Sequence, residues 1–134
     1  MFIDDNILSS IIDNQGGALK RNSDGEWVLD DLPTEGYYVG VHNIAVVDAV
    51  DCAVFTAHKA LRDALAASYF PAGYNYPDQY FLGFWRDMST GTWYIDISEH
   101  FTDLDAAKAV AAENGELAVW DIALDQGIWV VPVI

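Results

Sequence analysis

The segment from Gly83 to Asp121 constrains the fold of this chain more than any other part of the sequence. Within it, residues 92–98 alternate, and Trp93, Ile95 and Ile97 fall on one side. This is the period of a strand with one buried face. The nearly continuous apolar stretch 80–86 comes just before it, across a short polar turn, so the two stretches are predicted to pair as a hairpin.

The same segment continues with an alanine-rich stretch that has the features of a helix. Thr102 is predicted to cap its N-terminus, and Asn114 with Gly115 is predicted to end it. Residues 117–124 are predicted as the next strand, with Ala118 and Trp120 on one face. Hairpin, helix and strand therefore follow one another in this part of the chain.

The remaining elements are predicted from periodicity and turn residues. Apolar residues in 3–13 repeat at helical spacing, and the Asp24-Gly25 pair predicts a small hairpin within 18–32. Residues 37–47 are predicted as a strand with a bend, followed by a helix that Asp48 caps and that runs to about Ser68. An irregular aromatic loop, 69–79, and a terminal edge strand, 128–134, complete the prediction.

This order of elements predicts an α+β fold. Read from Tyr37 it is β-α-β-β-α-β, the split βαβ or ferredoxin-like order, in which an antiparallel sheet carries two helices on one face. An extra C-terminal strand and N-terminal additions are expected around this unit. The 134 residues are predicted to form a single domain, with 1–35 as a helix and hairpin extension and 36–134 as the α+β core.

Charge and cysteine content exclude several classes of function. Six Lys and Arg oppose 21 Asp and Glu, giving a net charge of −15. Direct binding to nucleic acid or to an anionic membrane is not expected, because both need Lys and Arg to neutralise phosphate. The one cysteine excludes an internal disulfide and a cysteine-built zinc site. With no basic leader and no long apolar run, a cytoplasmic location is expected.

No set of residues in the sequence has the spacing of a catalytic or metal site. Asp96, Ser98 and His100 fall at alternate positions, but neighbours at this spacing on a strand are about 6.5–7 Å apart, too far for a triad. A polar, solvated strand face is the expected role. His42 and His58 lie on other segments without metal-ligand spacing. No enzyme activity, cofactor, catalytic residue or metal ligand is therefore predicted.

Two surfaces are candidates for recognition of a partner. The first is the loop that carries Tyr74 and Tyr76, although these rings are also suited to covering a sheet edge. The second is an acidic surface around the alanine-rich helix, which could dock on a basic partner or could simply be solvated. Its predicted residues are Glu99, Asp103, Asp105, Glu113 and Glu116.

The motifs of the central segment resemble those of a group of phage proteins. Gly83-Phe84-Trp85-Arg86-Asp87, then Thr90-Gly91-Thr92-Trp93-Tyr94-Ile95-Asp96-Ile97-Ser98, then Glu116-Leu117-Ala118-Val119-Trp120-Asp121 carry the resemblance. The pattern is similar to that of small proteins of actinobacterial phages and prophages for which no activity is known. The resemblance implies a phage or prophage accessory protein in a bacterial cytoplasm.

Three hypotheses for function follow from charge, motifs and resemblance. The first is an accessory protein that binds a host protein with a basic surface, in one form as a DNA mimic that inhibits a defence enzyme. The second is a structural or assembly protein that works as an oligomer, although no oligomeric state is predicted. The third is a small-ligand binder or enzyme whose site uses Asp96, His100 and the Tyr74/Tyr76 loop.

Overall fold

The computed structural model describes residues 3–48, 54–67, 80–87, 89–116 and 118–130. The helices in these ranges are α1 (Asp5–Asp13), α2 (Val54–Ala67) and α3 (Leu104–Glu113). The strands are β1 (Gly16–Arg21), β2 (Trp27–Val28), β3 (Tyr37–Val47), β4 (Tyr80–Arg86), β5 (Trp93–Phe101), β6 (Ala118–Asp121) and β7 (Gln126–Trp129).

The described strands form one seven-stranded sheet in the order β2-β1-β4-β5-β3-β6-β7. Every neighbouring pair is antiparallel, which confirms the predicted α+β class and its antiparallel sheet. The N-terminal hairpin β1–β2 joins this sheet because β1 pairs with β4 from Gly16 to Lys20. Without that pairing β4 would be an exposed edge, which soluble proteins usually cover.

The long strand β3 holds the middle of the sheet together. It pairs with β5 along most of its length and with β6 through Tyr37 and Tyr38. Its register with β5 shifts between Gly40 and His42 and again between Asn43 and Ala45, the bend that the sequence predicted. The partner strand β5 is longer than predicted, because its pairing with β3 continues to Phe101.

Two apolar clusters pack the helices against the sheet. The first joins α1 and α2 to Leu19, Leu82, Phe84 and the predicted buried face of β5; its helical members include Leu8, Ile11, Leu61 and Leu65, and its β5 members are Trp93, Ile95 and Ile97. The second joins Ala107 and Ala111 of α3 to Val39 and Val119. Both alanines are fully buried. The α3 helix therefore packs close to the sheet, as expected from its small residues.

The opposite side of the sheet carries a different set of residues, which we call the tryptophan face. Residues paired across neighbouring strands point to the same side. The pairs Gly83–Asp96, Phe81–Ser98, Gly40–Ser98 and Tyr38–Trp120 therefore share one face, and Trp85 lies two residues beyond Gly83 on it. A third cluster packs here, where Leu32, Trp120 and Ile122 lie against Ala18, Tyr38 and Phe81.

Three predicted boundaries need correction or lie outside the description. The cap of α3 is Asp103, whose carboxylate accepts a hydrogen bond from the Ala106 amide at 3.0 Å, so the predicted cap at Thr102 was wrong by one residue. The strand β6 ends at Asp121, because the Asp121 carboxylate accepts from the Leu124 amide and closes a turn. Residues 49–53, which follow the predicted cap Asp48, and the predicted loop 69–79 lie outside the described residues.

None of the helices in the described part of the chain combines the length and the apolar character that crossing a membrane requires.

Candidate functional site

Two tryptophan rings meet above the middle of the tryptophan face. Trp85 lies on β4 and Trp120 on β6, with β5 and β3 between them. At about 4.8 Å between neighbouring strands, their backbones are about 14 Å apart. Their ring centroids nevertheless lie 5.1 Å apart at an interplanar angle of 54°. Both indoles therefore lean inward and cover the two strands between them.

The Asp96 carboxyl lies against the β4 strand beside these two indoles. A Cβ atom at Gly83, the cross-strand partner of Asp96, would come within 2.5 Å of Asp96 Oδ1 and 2.9 Å of Trp85 Nε1. Only glycine leaves that space open. Ser98 Oγ donates a hydrogen bond of 2.9 Å to Asp96 Oδ1, and the Trp85 side chain donates a second bond to Asp96.

Glu116 brings a second carboxyl to the same place. It follows the turn that ends α3, where Gly115 has φ +72° and the Glu116 amide donates to the Ala111 carbonyl at 2.8 Å. A Cβ atom at Gly40 would lie 3.0 Å from Glu116 Oε1 and 3.1 Å from Asp96 Oδ2, so these oxygens are at most about 6 Å apart. Asp96 and Glu116 form what we call the acid pair.

Burial without a cation perturbs both acids. Desolvation raises the pKa of Asp96 to about 7; the nearby Glu116 charge adds to the increase, and the hydrogen bonds from Ser98 and Trp85 oppose it. Desolvation also raises the pKa of Glu116. No Lys or Arg among the described residues contributes to either pKa, so the pair has no neutralising partner there.

The acid pair opens into a cavity of about 160 Å³. The residue Asp96 keeps a partial exposure, which this opening supplies, even though its carboxyl is largely desolvated. The cavity is lined by Tyr38, Gly40, Trp85, Asp96, Glu116, Ala118, Val119, Trp120 and Gly127.

A larger cavity of about 610 Å³ adjoins it and shares the rings of Tyr38, Trp85 and Trp120. It extends toward the end of α1 and the start of β1, past Ile11, Gly16 and the 29–32 segment. We call the two cavities together the tryptophan groove. Its walls carry the rings of Tyr38, Trp85 and Trp120, with the two carboxyls of the acid pair at the smaller cavity and the Asp125 and Arg86 side chains at the larger one.

The structure brings together only part of the predicted Asp96, Ser98 and His100 set. Ser98 is 1% exposed and bonded to Asp96, so the expected solvated face was wrong. The prediction considered only the distance between Cα atoms. Side chains on the same face of a strand can lean toward each other and form a hydrogen bond. His100 donates to the Glu35 carbonyl at 2.8 Å and packs by Tyr38, so no triad forms.

The predicted acidic surface is divided between two places. Asp105 and Glu113 are exposed on α3, its cap residue Asp103 is also exposed, and Glu99 is half-buried on β5. Glu116 is apart from them, because its carboxyl reaches the tryptophan face and the acid pair. Tyr74 and Tyr76, predicted as binding residues, lie outside the described residues.

Several groove residues were not predicted as site residues. Trp85, Trp120 and Tyr38 were assigned to strands, and Gly40 was not singled out. The available signal was a glycine on each strand beside β5: Gly83 pairs with Asp96, and Gly40 pairs with Ser98 two residues farther along the same face. Reading it requires the pairing of β3 and β4 with β5, which only the folded chain supplies.

Within the described residues, no three His, Cys, Asp or Glu side chains gather as a metal-binding group. In comparisons with family models, curated proteins and solved structures, none matched this chain. The function of this chain is therefore inferred from the geometry of the groove.

Proposed function

We propose that this protein binds a small organic ligand in the tryptophan groove. The observation that carries the proposal is the Asp96 carboxyl, desolvated beside two indoles, hydrogen-bonded on one side and open to a cavity on the other. The proposal is a form of the third hypothesis from the sequence. Asp96 belongs to the site, as that hypothesis expected, and His100 does not.

The size and lining of the groove support binding. Ligand sites commonly have volumes of about 300–1,000 Å³, with mostly apolar walls and a few convergent polar groups. The larger cavity measures about 610 Å³, and the acid pair supplies the polar groups at its smaller neighbour. Three aromatic rings give contact area at low conformational cost.

The energetic cost of the acid pair also supports a function. A buried carboxyl with no cation destabilises the native state, and an apolar residue would pack the same space at no such cost. Gly40 and Gly83 add to this cost, because glycine inside a strand weakens it. Local features that oppose stability in this way are typical of binding and catalytic sites.

The test is an NMR screen that uses the indole N–H signals as reporters. A fragment library that contains aromatic, cationic and neutral polar compounds is titrated into ¹⁵N-labelled protein. We expect hits to shift the Trp85 and Trp120 signals and to leave the signal of Trp129 unchanged, since Trp129 is 71% exposed and lines neither cavity.

A pair of matched variants completes this test. Trp120→Leu should weaken the hits by about tenfold, whereas Trp129→Leu should leave them unchanged. A library in which no compound shifts Trp85 or Trp120 selectively would rule out the groove as a ligand site.

A second candidate function is capture of a host protein with a basic surface. It is supported by the exposed carboxylates Asp105 and Glu113 on α3, for which no ion pair occurs among the described residues. Asp105→Lys with Glu113→Lys should abolish low-salt capture from a bacterial lysate. The control is Asp13→Lys with Asp30→Lys, which reverses two exposed acids elsewhere. Equal capture by both double variants would reject the helix surface.

We also propose that β3 through β6 with α2 and α3 form a ferredoxin-like unit. The supporting observations are the neighbour order β4-β5-β3-β6, the antiparallel pairing, and contacts of both helices with β3. An experimental structure that includes the connections around α2 would test this topology.

A further inference from the structure

The acid pair lies in a cavity whose other walls are three aromatic rings and small or aliphatic residues, and this combination selects a particular ligand chemistry. Glu116 Oε1 and Asp96 Oδ2 both lie near the empty Cβ position of Gly40. The rings of Tyr38, Trp85 and Trp120 line the same cavity. An anion would be repelled by the two carboxyls, and a purely apolar ligand would leave them desolvated and unpaired.

A cation interacts favourably with both the carboxyls and the aromatic rings of this cavity. Carboxylates attract it directly, and the faces of tryptophan and tyrosine rings attract it through their quadrupoles. Burial raises the pKa of Tyr38 to about 12, so its ring stays neutral beside the cation near neutral pH. The net charge of −15 also favours the approach of cations over anions.

The cavity favours an organic cation over a metal ion. Calcium and magnesium require about six oxygen ligands, and the described residues supply no third acidic or His side chain to the pair. A volume of about 160 Å³ equals about five water molecules at ~30 Å³ each, enough for a compact alkylammonium group.

Building on the proposed ligand-binding function, we propose that the tryptophan groove recognises an alkylammonium group. The cation lies between the carboxyls of Asp96 and Glu116 and against the rings of Trp85 and Trp120. Any larger part of the ligand extends into the adjoining cavity past Gly16 and the 29–32 segment.

This site makes binding dependent on pH. The titratable groups that face Asp96 are Glu116, from the turn after α3, and Tyr38, from β3; its other neighbours, Ser98 and Trp85, do not titrate in this range. A bound cation stabilises the ionised acid pair, so binding releases a proton at the pH where Asp96 is partly protonated. Affinity for the cation therefore increases as pH rises through the neutral range.

The experiment compares choline with 3,3-dimethylbutan-1-ol, which has the same shape with carbon in place of nitrogen. Affinities are measured by NMR titration of the Trp85 and Trp120 indole signals at about pH 8 and about pH 5.5. We expect choline to bind at least about tenfold more tightly than the alcohol at the higher pH. At the lower pH, the ratio of the choline affinity to the alcohol affinity should be smaller.

Three variants assign the effect to the acid pair. Asp96→Asn and Glu116→Gln should each remove most of the preference for choline over the alcohol. Asp105→Asn, which removes the same charge from an exposed site on α3, should keep the preference.

The outcomes separate this inference from the proposed function. Equal affinities for choline and the alcohol, or no binding of choline at millimolar concentration, would overturn ammonium recognition. The fragment screen tests independently whether the groove binds any ligand, because neutral hits can still shift the indole signals of Trp85 and Trp120.

Discussion

Replacing Asp96 with asparagine should make the protein more stable at neutral and alkaline pH. The amide oxygen of asparagine can still accept the hydrogen bonds from Ser98 and Trp85. The substitution removes a carboxyl that ionises in a desolvated position next to Glu116. The two proteins therefore differ mainly in the cost of that ionisation.

The magnitude follows from the pKa of Asp96. It rises from 3.8 to about 7 in the folded chain, and each pKa unit corresponds to 1.36 kcal/mol, so the upper bound is about 4 kcal/mol. Solvent reaches Asp96 through the cavity and screens its charge, so we expect about 2 kcal/mol. For a chain of this length that is about 6 °C in Tm.

The sign depends on which state holds the proton. Between pH 3.8 and about 7 the folded protein keeps a proton on Asp96 that the unfolded chain has released. Stability of the native protein therefore falls as pH rises through this window, and the loss is complete above it. Asp96→Asn lacks this dependence, so the two proteins should have similar stability near pH 3.8 and diverge toward pH 8.

The assay is urea denaturation, followed by circular dichroism, at several pH values from about 4 to about 8. Asp105→Asn is the control, because it removes one exposed charge at the start of α3 and should lower stability by only a few tenths of a kcal/mol. If the difference between native protein and Asp96→Asn stays constant across the pH range, the Asp96 carboxyl is not desolvated and the argument for the acid pair fails.

Three further substitutions test the packing that positions the groove, each by urea denaturation against a matched control. Gly83→Ala should cost about 1–3 kcal/mol, because its Cβ would meet Asp96 Oδ1 at 2.5 Å, whereas Gly127→Ala, with no atom nearer than 4.0 Å, should change stability by less than about 0.5 kcal/mol; equal effects would show that Gly83 is not sterically required. Asp103→Ala should cost about 1 kcal/mol through loss of the α3 cap and Thr102→Ala much less, and the reverse order would restore Thr102 as the cap. Leu61→Ala should cost about 2–5 kcal/mol because Leu61 is 0% exposed, and a loss no larger than that of Leu124→Ala, at 64% exposed, would contradict the described core.

Local patterns predicted most elements of this fold. The alternation of Trp93, Ile95 and Ile97 identified the buried face of β5, and all three are at most 1% exposed. The Asp24-Gly25 turn identified the β1–β2 hairpin. Among the described residues, the errors in element assignment lie at element ends, as at Thr102, since neighbouring polar residues compete for one cap and only backbone geometry selects between them.

The candidate site was predicted only in fragments. Asp96 and Glu116 were both named, but in different hypotheses, one as a strand residue and the other as part of a helix surface. They are 20 positions apart in the chain. The turn at Gly115 was predicted as a helix end, but no local pattern shows that it brings Glu116 to Asp96 or that Gly40 leaves room for both carboxyls.

The sequence by itself determined the α+β class, the antiparallel hairpins and the strongly acidic character of this protein, because periodicity, turn residues and charge are local properties of the chain. Only the tertiary structure decided that two acids and three aromatic rings share one groove. Trp85 and Trp120 belong to strands separated by two others, yet their rings meet, and Gly40 and Gly83 leave room on the sheet for the Asp96 and Glu116 carboxyls. Strand order and register are long-range properties, so the segment from Gly83 to Asp121 could predict its own elements but not which of its side chains would meet.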